Sequence, residues 1–400
     1  MTATTKEFFV RERLTEARDA RGITQSYLAK CLQRSPGTIS NWERGDQAPE
    51  PASLDQIVRT LGIPVAYFLR LMPNHGKNAI FFRSLANATM RARLKEKARM
   101  RWLQHISLTL QQTLDFPTVN FHNLIERGAY KQLKHDDLEN IAADMRSHWR
   151  LGEGPIPNMV LVAENAGVVI GIDEVGSTKI DGQGNWSDYD NRPYILLARD
   201  KYTAFRRQMD IAHELAHLIL HHGIDENELA QNFDLIEDQA KYWASAFLLP
   251  HRSFPAEIYS LSLDGFVALK KRWKVSIGAM IMRARNLEIL SDAAAQRLWK
   301  FRATRGWHNR EPFDFPSETP VDEPRLLRRS IEMIVDNEIR SKGDLLQSDI
   351  CLGAADIEMM ASLPANFFME SAAVVLFEPK LKESGRIGQS ASILPLRRPN

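Results

Sequence analysis

Two histidines and a glutamate, His213, Glu214 and His217, are the residues whose types and spacing point most directly to chemistry. They lie in residues 208–220, a run without glycine or proline that is expected to form a helix. The histidines stand four residues apart, so both imidazoles leave one face of that helix. Such a pair suits a zinc ion held by ring nitrogens at about 2.0–2.1 Å. Glu214 then sits beside the ion, where a carboxylate can take a proton from an attacking water and return it to a leaving group. Ile211, Leu215, Leu218 and Ile219 supply an apolar face that supports and shields the site.

A third protein ligand is required. The long motif with a third histidine fails, because Leu220 and Gly223 stand where a glycine and a histidine are needed. His221 and His222 follow one turn on, where the helix would have to curl over the metal. Glu237 is the better candidate: it opens a second helical run, residues 235–249, which can return antiparallel to the first after the break at 223–232. Two His and one Glu leave the fourth position open. Asp238 is the rival, about 100° round the helix, and its expected role is to orient a ligand histidine. Tyr242, Tyr194, His221 and Arg206 are candidates for stabilising an oxyanion.

A second constellation lies near the N-terminus. Thr24 is placed to cap a short helix, Ser35-Pro36 to start the next, and Gly45 to end it. Two short helices with a tight turn, within a five-helix unit, form a helix-turn-helix. The second helix enters the major groove in such units, so Gly37, Thr38, Ser40, Asn41 and Arg44 are expected to face DNA, with Asn41 suited to an adenine edge. Gln25 and Ser35 suit phosphates. Ile39 and Trp42 are expected in the core, and Cys31 as a small buried apolar residue.

These motifs need elements to position them. The 400 residues suffice for two or three domains, and 44% hydrophobic with 26% charged residues is ordinary globular composition. A net charge of +2 leaves any DNA site local. Two cysteines, outside any CxxC pair, exclude a disulfide framework or a Cys-based zinc site. No apolar run reaches the roughly 18 residues of a membrane span, and no signal peptide is evident, so no membrane partner and a cytoplasmic location are expected. The expected class is α+β. An all-helical unit at 1–72 ends at a Pro/Gly linker, and a helical linker region follows at 73–150. A small sheet with the HExxH helix occupies 151–300, and a mainly helical region with a disordered tail from 382 occupies 301–400. Within this frame, residues 159–162, 168–172 and 193–197 read as strands, 181–185 as a turn, and the basic stretch 91–101 as a solvated connecting helix rather than a DNA contact.

The run His213-Glu-Leu-Ala-His217, with Glu237-x-x-Ala240, Ala244 and Leu248-Leu249-Pro250, resembles the ImmA/IrrE family of metallopeptidases over about residues 155–300. Ala216 stands for the usual glycine and Lys241 for the usual asparagine. Members of that family are zincin-like and cleave DNA-binding repressors. The resemblance extends to a helix-turn-helix-like segment at 269–284. Residues 8–71 resemble the phage repressor (XRE/Cro) family. Together these imply a zinc endopeptidase joined to a domain for double-stranded operator DNA, acting on a helix-turn-helix repressor, with a homodimer as one form. The alternative is a transcription regulator or antitoxin-like binding protein with a ligand-sensing, weakly active peptidase fold.

Overall fold

Strands and helices alternate in importance along this chain, but one sheet organises them all. A computed structural model describes residues 8–74, 76, 78–82, 89–174, 182–199, 203–308 and 310–369. The tail from 382 lies outside these residues. The elements run α1 (Arg11–Ala20), α2 (Gln25–Cys31), α3 (Pro36–Arg44), α4 (Pro51–Leu61), β1 (Phe81–Phe82), α5 (Met90–Leu110), α6 (His135–His148), α7 (Met159–Asn165), β2 (Val169–Asp173), β3 (Gly182–Ser187) and β4 (Arg192–Ala198). Then come α8 (Ala204–Leu220), α9 (Glu226–Gln231), α10 (Phe233–Leu248), α11 (Leu263–Trp273), α12 (Ile277–Asn286), α13 (Asp292–Thr304), α14 (Leu326–Asp336) and α15 (Ala354–Met360). They belong to one compact unit that ends at Phe368. This is an α+β architecture.

The sheet order is β1-β3-β4-β2, with β3 antiparallel to both neighbours and β2 parallel to β4. Alternate residues of a strand face opposite sides. Here Ile170, Ile195 and Leu197 face a core that holds α6, α7, α8 and α10 to α13. Val169, Tyr194 and Leu196 face a second core, built from α1 to α5, α14 and α15. A sheet buried on both faces reads as continuous apolar runs. The helix-turn-helix unit and the C-terminal helices therefore share one core, on the opposite face of the sheet from α8.

A buried ionic chain ties these parts together. Arg21, at the C-cap of α1, makes two hydrogen bonds to Asp356 of α15, at 2.8 and 2.7 Å. Asp356 also accepts from Arg99 of α5 at 2.6 Å, and Arg99 grips both oxygens of Asp173 at the end of β2.

Four expectations are corrected. Residues 159–162 are helical, as the start of α7: Asn158 Oδ1 accepts from Leu161 N at 2.8 Å, and burial of Met159, Val160 and Ala163 with Leu161 exposed follows a helical period. Residues 182–185 are not a turn but the start of β3, held straight by hydrogen bonds on both edges. The basic stretch is not a solvated helix but part of α5, a packed helix in which Glu96, Ala98, Arg99 and Met100 are buried, Arg99 is paired with Asp173 and Asp356, and Lys97 with Glu226. Cys31 is exposed, since Leu28, Ala29 and Leu32 already fill that face of α2.

Candidate metal centre and DNA-binding face

Thr203 starts α8 by accepting a hydrogen bond from Arg206 N, and nothing in the next 17 residues interrupts the helix. Leu215, Leu218 and Ile219 are fully or almost fully buried, which fixes the roll of the helix and turns His213 and His217 to one side. Ala240, Ala244 and Phe247 pack α10 against the same core and bring Glu237 to the histidines. His213 Nε2 and His217 Nε2 lie 3.1 Å apart, and Glu237 Oε1 is 3.6 and 3.3 Å from them. Ligand atoms of the three residues all fall within 4.8 Å of one another, and each residue is at most 4% exposed.

These residues fit a divalent cation. Two imidazole nitrogens and a buried carboxylate are the ligand types zinc prefers, and the set leaves a position open. Burial opposes ionisation of Glu237, but the two imidazoles outweigh it and hold the carboxyl well below the ordinary carboxylate range. Glu237 Oε2 is buried without a hydrogen bond, with only the Lys241 ammonium nearby at 3.6 Å.

Behind the pair runs an ordered chain. His217 Nδ1 lies 3.1 Å from His221 Nδ1, His221 Nε2 lies 3.1 Å from Gln239 Oε1, and Gln239 Nε2 donates to Tyr130 O at 2.8 Å. One arrangement of protons satisfies every member. Gln239 presents its carbonyl to His221, so His221 Nε2 carries the proton and Nδ1 accepts. His217 then donates from Nδ1, which leaves the Nε2 lone pair to a bound cation. Burial, reinforced by His217, pushes His221 well below the usual histidine range, in keeping with a neutral ring.

Glu214 is 2% exposed and lies under β3. Gly182 and Gly184 face it: a Cβ on Gly184 would be 3.0 Å from Glu214 Oε2, and one on Gly182 would be 3.4 Å from Oε1. Strand glycines mark close approach. Here the close neighbour is the candidate general base.

On α3, Ser35 caps the helix by accepting from Thr38 N at 3.2 Å, and its hydroxyl meets that of Thr38 at 3.0 Å. Gly37 and Arg44 are exposed, and Ser40 and Asn41 half-buried, while Ile39 and Trp42 are in the core. Asn41 Oδ1 accepts from Arg44 Nη2 at 2.6 Å. Gln25 Nε2 donates to Glu43 Oε2 at 2.8 Å, and Glu43 is also paired with Arg18.

Residues 163–285 match the model of the IrrE N-terminal-like domain, a peptidase family, and residues 14–68 match the helix-turn-helix model. The chain joins a helix-turn-helix domain to an IrrE-type domain. No curated protein matches it. All four residues of the candidate centre lie in the IrrE-type domain, and all the candidate DNA-facing residues lie in the other. Among the described residues no helix is long and apolar enough to cross a membrane.

Several participants in the IrrE-type domain escaped sequence reasoning. Asp238 points to solvent with its side chain 81% exposed, so it orients no ligand, and Gln239 does so through His221. Of the oxyanion candidates, Tyr194 is spent on Asp190 at 2.6 Å and on Ser107 of α5. His221 stands behind His217. Tyr242 is stacked on His135 and linked to Glu139, which with burial pushes its hydroxyl up to about 12. The expected segment at 269–284 forms parts of α11 and α12, joined through Lys274 in the left-handed region and capped by Ser276. The signal for Gly182 and Gly184 was their spacing of two, the period of a strand.

Proposed function

We propose that the chain is a zinc-dependent endopeptidase joined to a sequence-specific DNA-binding domain, and that it cleaves a repressor to control transcription. The observation that carries this reading is the convergence of His213, His217 and Glu237 within 4.8 Å, with Glu214 on the same helix. His213, His217 and Glu237 would hold the ion. When bound, zinc supplies Lewis acidity toward a peptide carbonyl and toward water. Glu214 takes a proton from the water that attacks the carbonyl carbon. As the C–N bond breaks, Glu214 passes that proton to the departing amine, so the two products leave as carboxylic acid and amine. The protein environment keeps this exchange dry, since every participating side chain is buried. Asn41, Arg44, Ser40, Thr38, Gly37 and Ser35 would meet operator DNA. Tethering near a DNA-bound repressor raises its local level to roughly millimolar, so the peptidase needs little affinity of its own.

The test combines metal analysis with intact mass of candidate repressors. His213→Ala is expected to lose both zinc and cleavage, and Glu214→Gln to keep zinc and lose cleavage. Zinc retained in His213→Ala sinks the site. Zinc without cleavage of any candidate by the unaltered chain favours the regulator that senses and binds but does not cut.

A further inference from the structure

The segment leading from the helix-turn-helix unit lies across the candidate site. Ala79 N donates to Ile224 O at 2.9 Å on one side, and Ala79 O accepts from Asn185 Nδ2 at 3.0 Å on the other. Two residues on, β1 pairs antiparallel with β3, Phe81 opposite Gly184 and Phe82 opposite Gln183. The Phe81 ring lies parallel to that of His217, with 4.7 Å between centroids and 5° between planes. It is 4% exposed, in a small apolar cluster with Ala79, Tyr130, Ile224, Leu229 and Ile236. β1 lies outside residues 163–285, so the strand that closes the outer edge of β3 is not part of the IrrE-type match.

That edge is the one beside the base, because Gly184 pairs with Phe81 and abuts Glu214. A polypeptide must be extended for a peptide bond to pass a buried carboxylate. Addition to a free strand edge is the general way to hold it, with backbone hydrogen bonds for affinity and alternate side chains in pockets for selectivity. We infer that β1 occupies the edge that an extended substrate takes, as an internal competitor, and that the cluster around Phe81 is a pocket for an aromatic side chain of that substrate. This rests on the peptidase reading above. Among the described residues Phe81 and Phe82 pair along β3, and the segment's advantage over a free peptide is its tether, at roughly millimolar effective concentration. The protease is therefore latent until the segment leaves, and the substrates that displace it carry an aromatic residue opposite Gly184.

The experiment uses the full chain and a fluorescent peptide, Asn-Ala-Ile-Phe-Phe followed by two lysines, read by polarisation. Phe81→Ala is expected to bind it at least tenfold more tightly than the unaltered chain. Asn78→Ala, which removes the segment's bond to Trp186 O and leaves the ring and the peptide's acceptor in place, is expected to give a smaller gain. Replacing the first phenylalanine of the peptide by alanine is expected to weaken binding at least tenfold. Equal binding to all three proteins, binding to none of them when each is folded by circular dichroism, or indifference to that phenylalanine overturns the inference. Should Phe81→Ala fail to fold, Asn78→Ala and the peptide pair decide it alone. Zinc is measured in the same samples. A centre that takes no zinc defeats the peptidase reading, whereas zinc bound without peptide discrimination defeats only the competitor.

Discussion

Gly184 and Glu214 are in contact across the strand-helix interface: a Cβ at position 184 would meet Glu214 Oε2 at 3.0 Å. That is tight enough to displace the carboxylate by a few tenths of an ångström. Gly184→Ala is expected to fold and to keep zinc, because the lower entropy of the unfolded chain, about 0.4–1 kcal/mol, offsets the crowding. Cleavage should fall about tenfold or more, since small misplacement of a reacting group is costly. Kinetics with a cleaved repressor check this. Unchanged turnover removes the positioning role.

Gln239 reaches the candidate metal site at two removes, through His221 and His217. Gln239→Leu is expected to weaken zinc binding by up to about tenfold, the lower end of the cost of losing an outer partner of a metal histidine, because His221 stands between. Competition with a chromophoric chelator measures it. Glu at 239 keeps an acceptor for His221 and is expected to retain more of the affinity than Leu.

Asp356 anchors Arg21 and Arg99 in the buried ionic chain. Asp356→Ala leaves two cations without their shared partner and is expected to cost about 3 kcal/mol. Burial works against the charged carboxylate, but its bonds to Arg21 and Arg99 prevail and depress its folded-state value below the ordinary 3.8. The sign follows: this contribution is complete above about pH 4 and is lost as pH falls through the depressed value. Urea midpoints between pH 2.5 and 7, on the order of that range for carboxylates, are expected to drop on the acid side, and less so in Asp356→Asn.

Asn41 and Arg44 share a hydrogen bond on the outer face of α3. Asn41→Ala is expected to reduce discrimination between operator-like and unrelated duplexes by about 1–3 kcal/mol, with non-specific affinity changed little. Arg44→Ala should also lower the salt dependence of binding. Equal discrimination by Asn41→Ala and the unaltered chain defeats the recognition-helix assignment.

Local signals were the legible ones. Thr24, Ser35 and Gly45 cap the helices they were expected to cap, and the spacing of His213 and His217 placed both on one helical face. Capping and helical period act within a few residues, so neighbouring letters suffice. Residues 159–162 misled because a short apolar run does not itself distinguish a strand from a buried helix.

What the sequence by itself determined is therefore the pair of motifs and the helices that carry them. It also determined which residue types can bind a cation or face DNA, because those follow from side-chain chemistry and local spacing. Only the tertiary structure decided that Glu237 and not Asp238 meets the histidines, because helix roll is set by the packing of Ala240, Ala244 and Phe247. The same holds for β3, whose Gly-Gln-Gly-Asn start looks like a turn until Glu214 below and two neighbouring strands impose an extended chain. It holds again for Phe81, more than 130 positions before His217 in sequence (217 − 81 = 136) yet stacked on its ring. Contacts of that range depend on how sheet and helices assemble, and no local pattern encodes them.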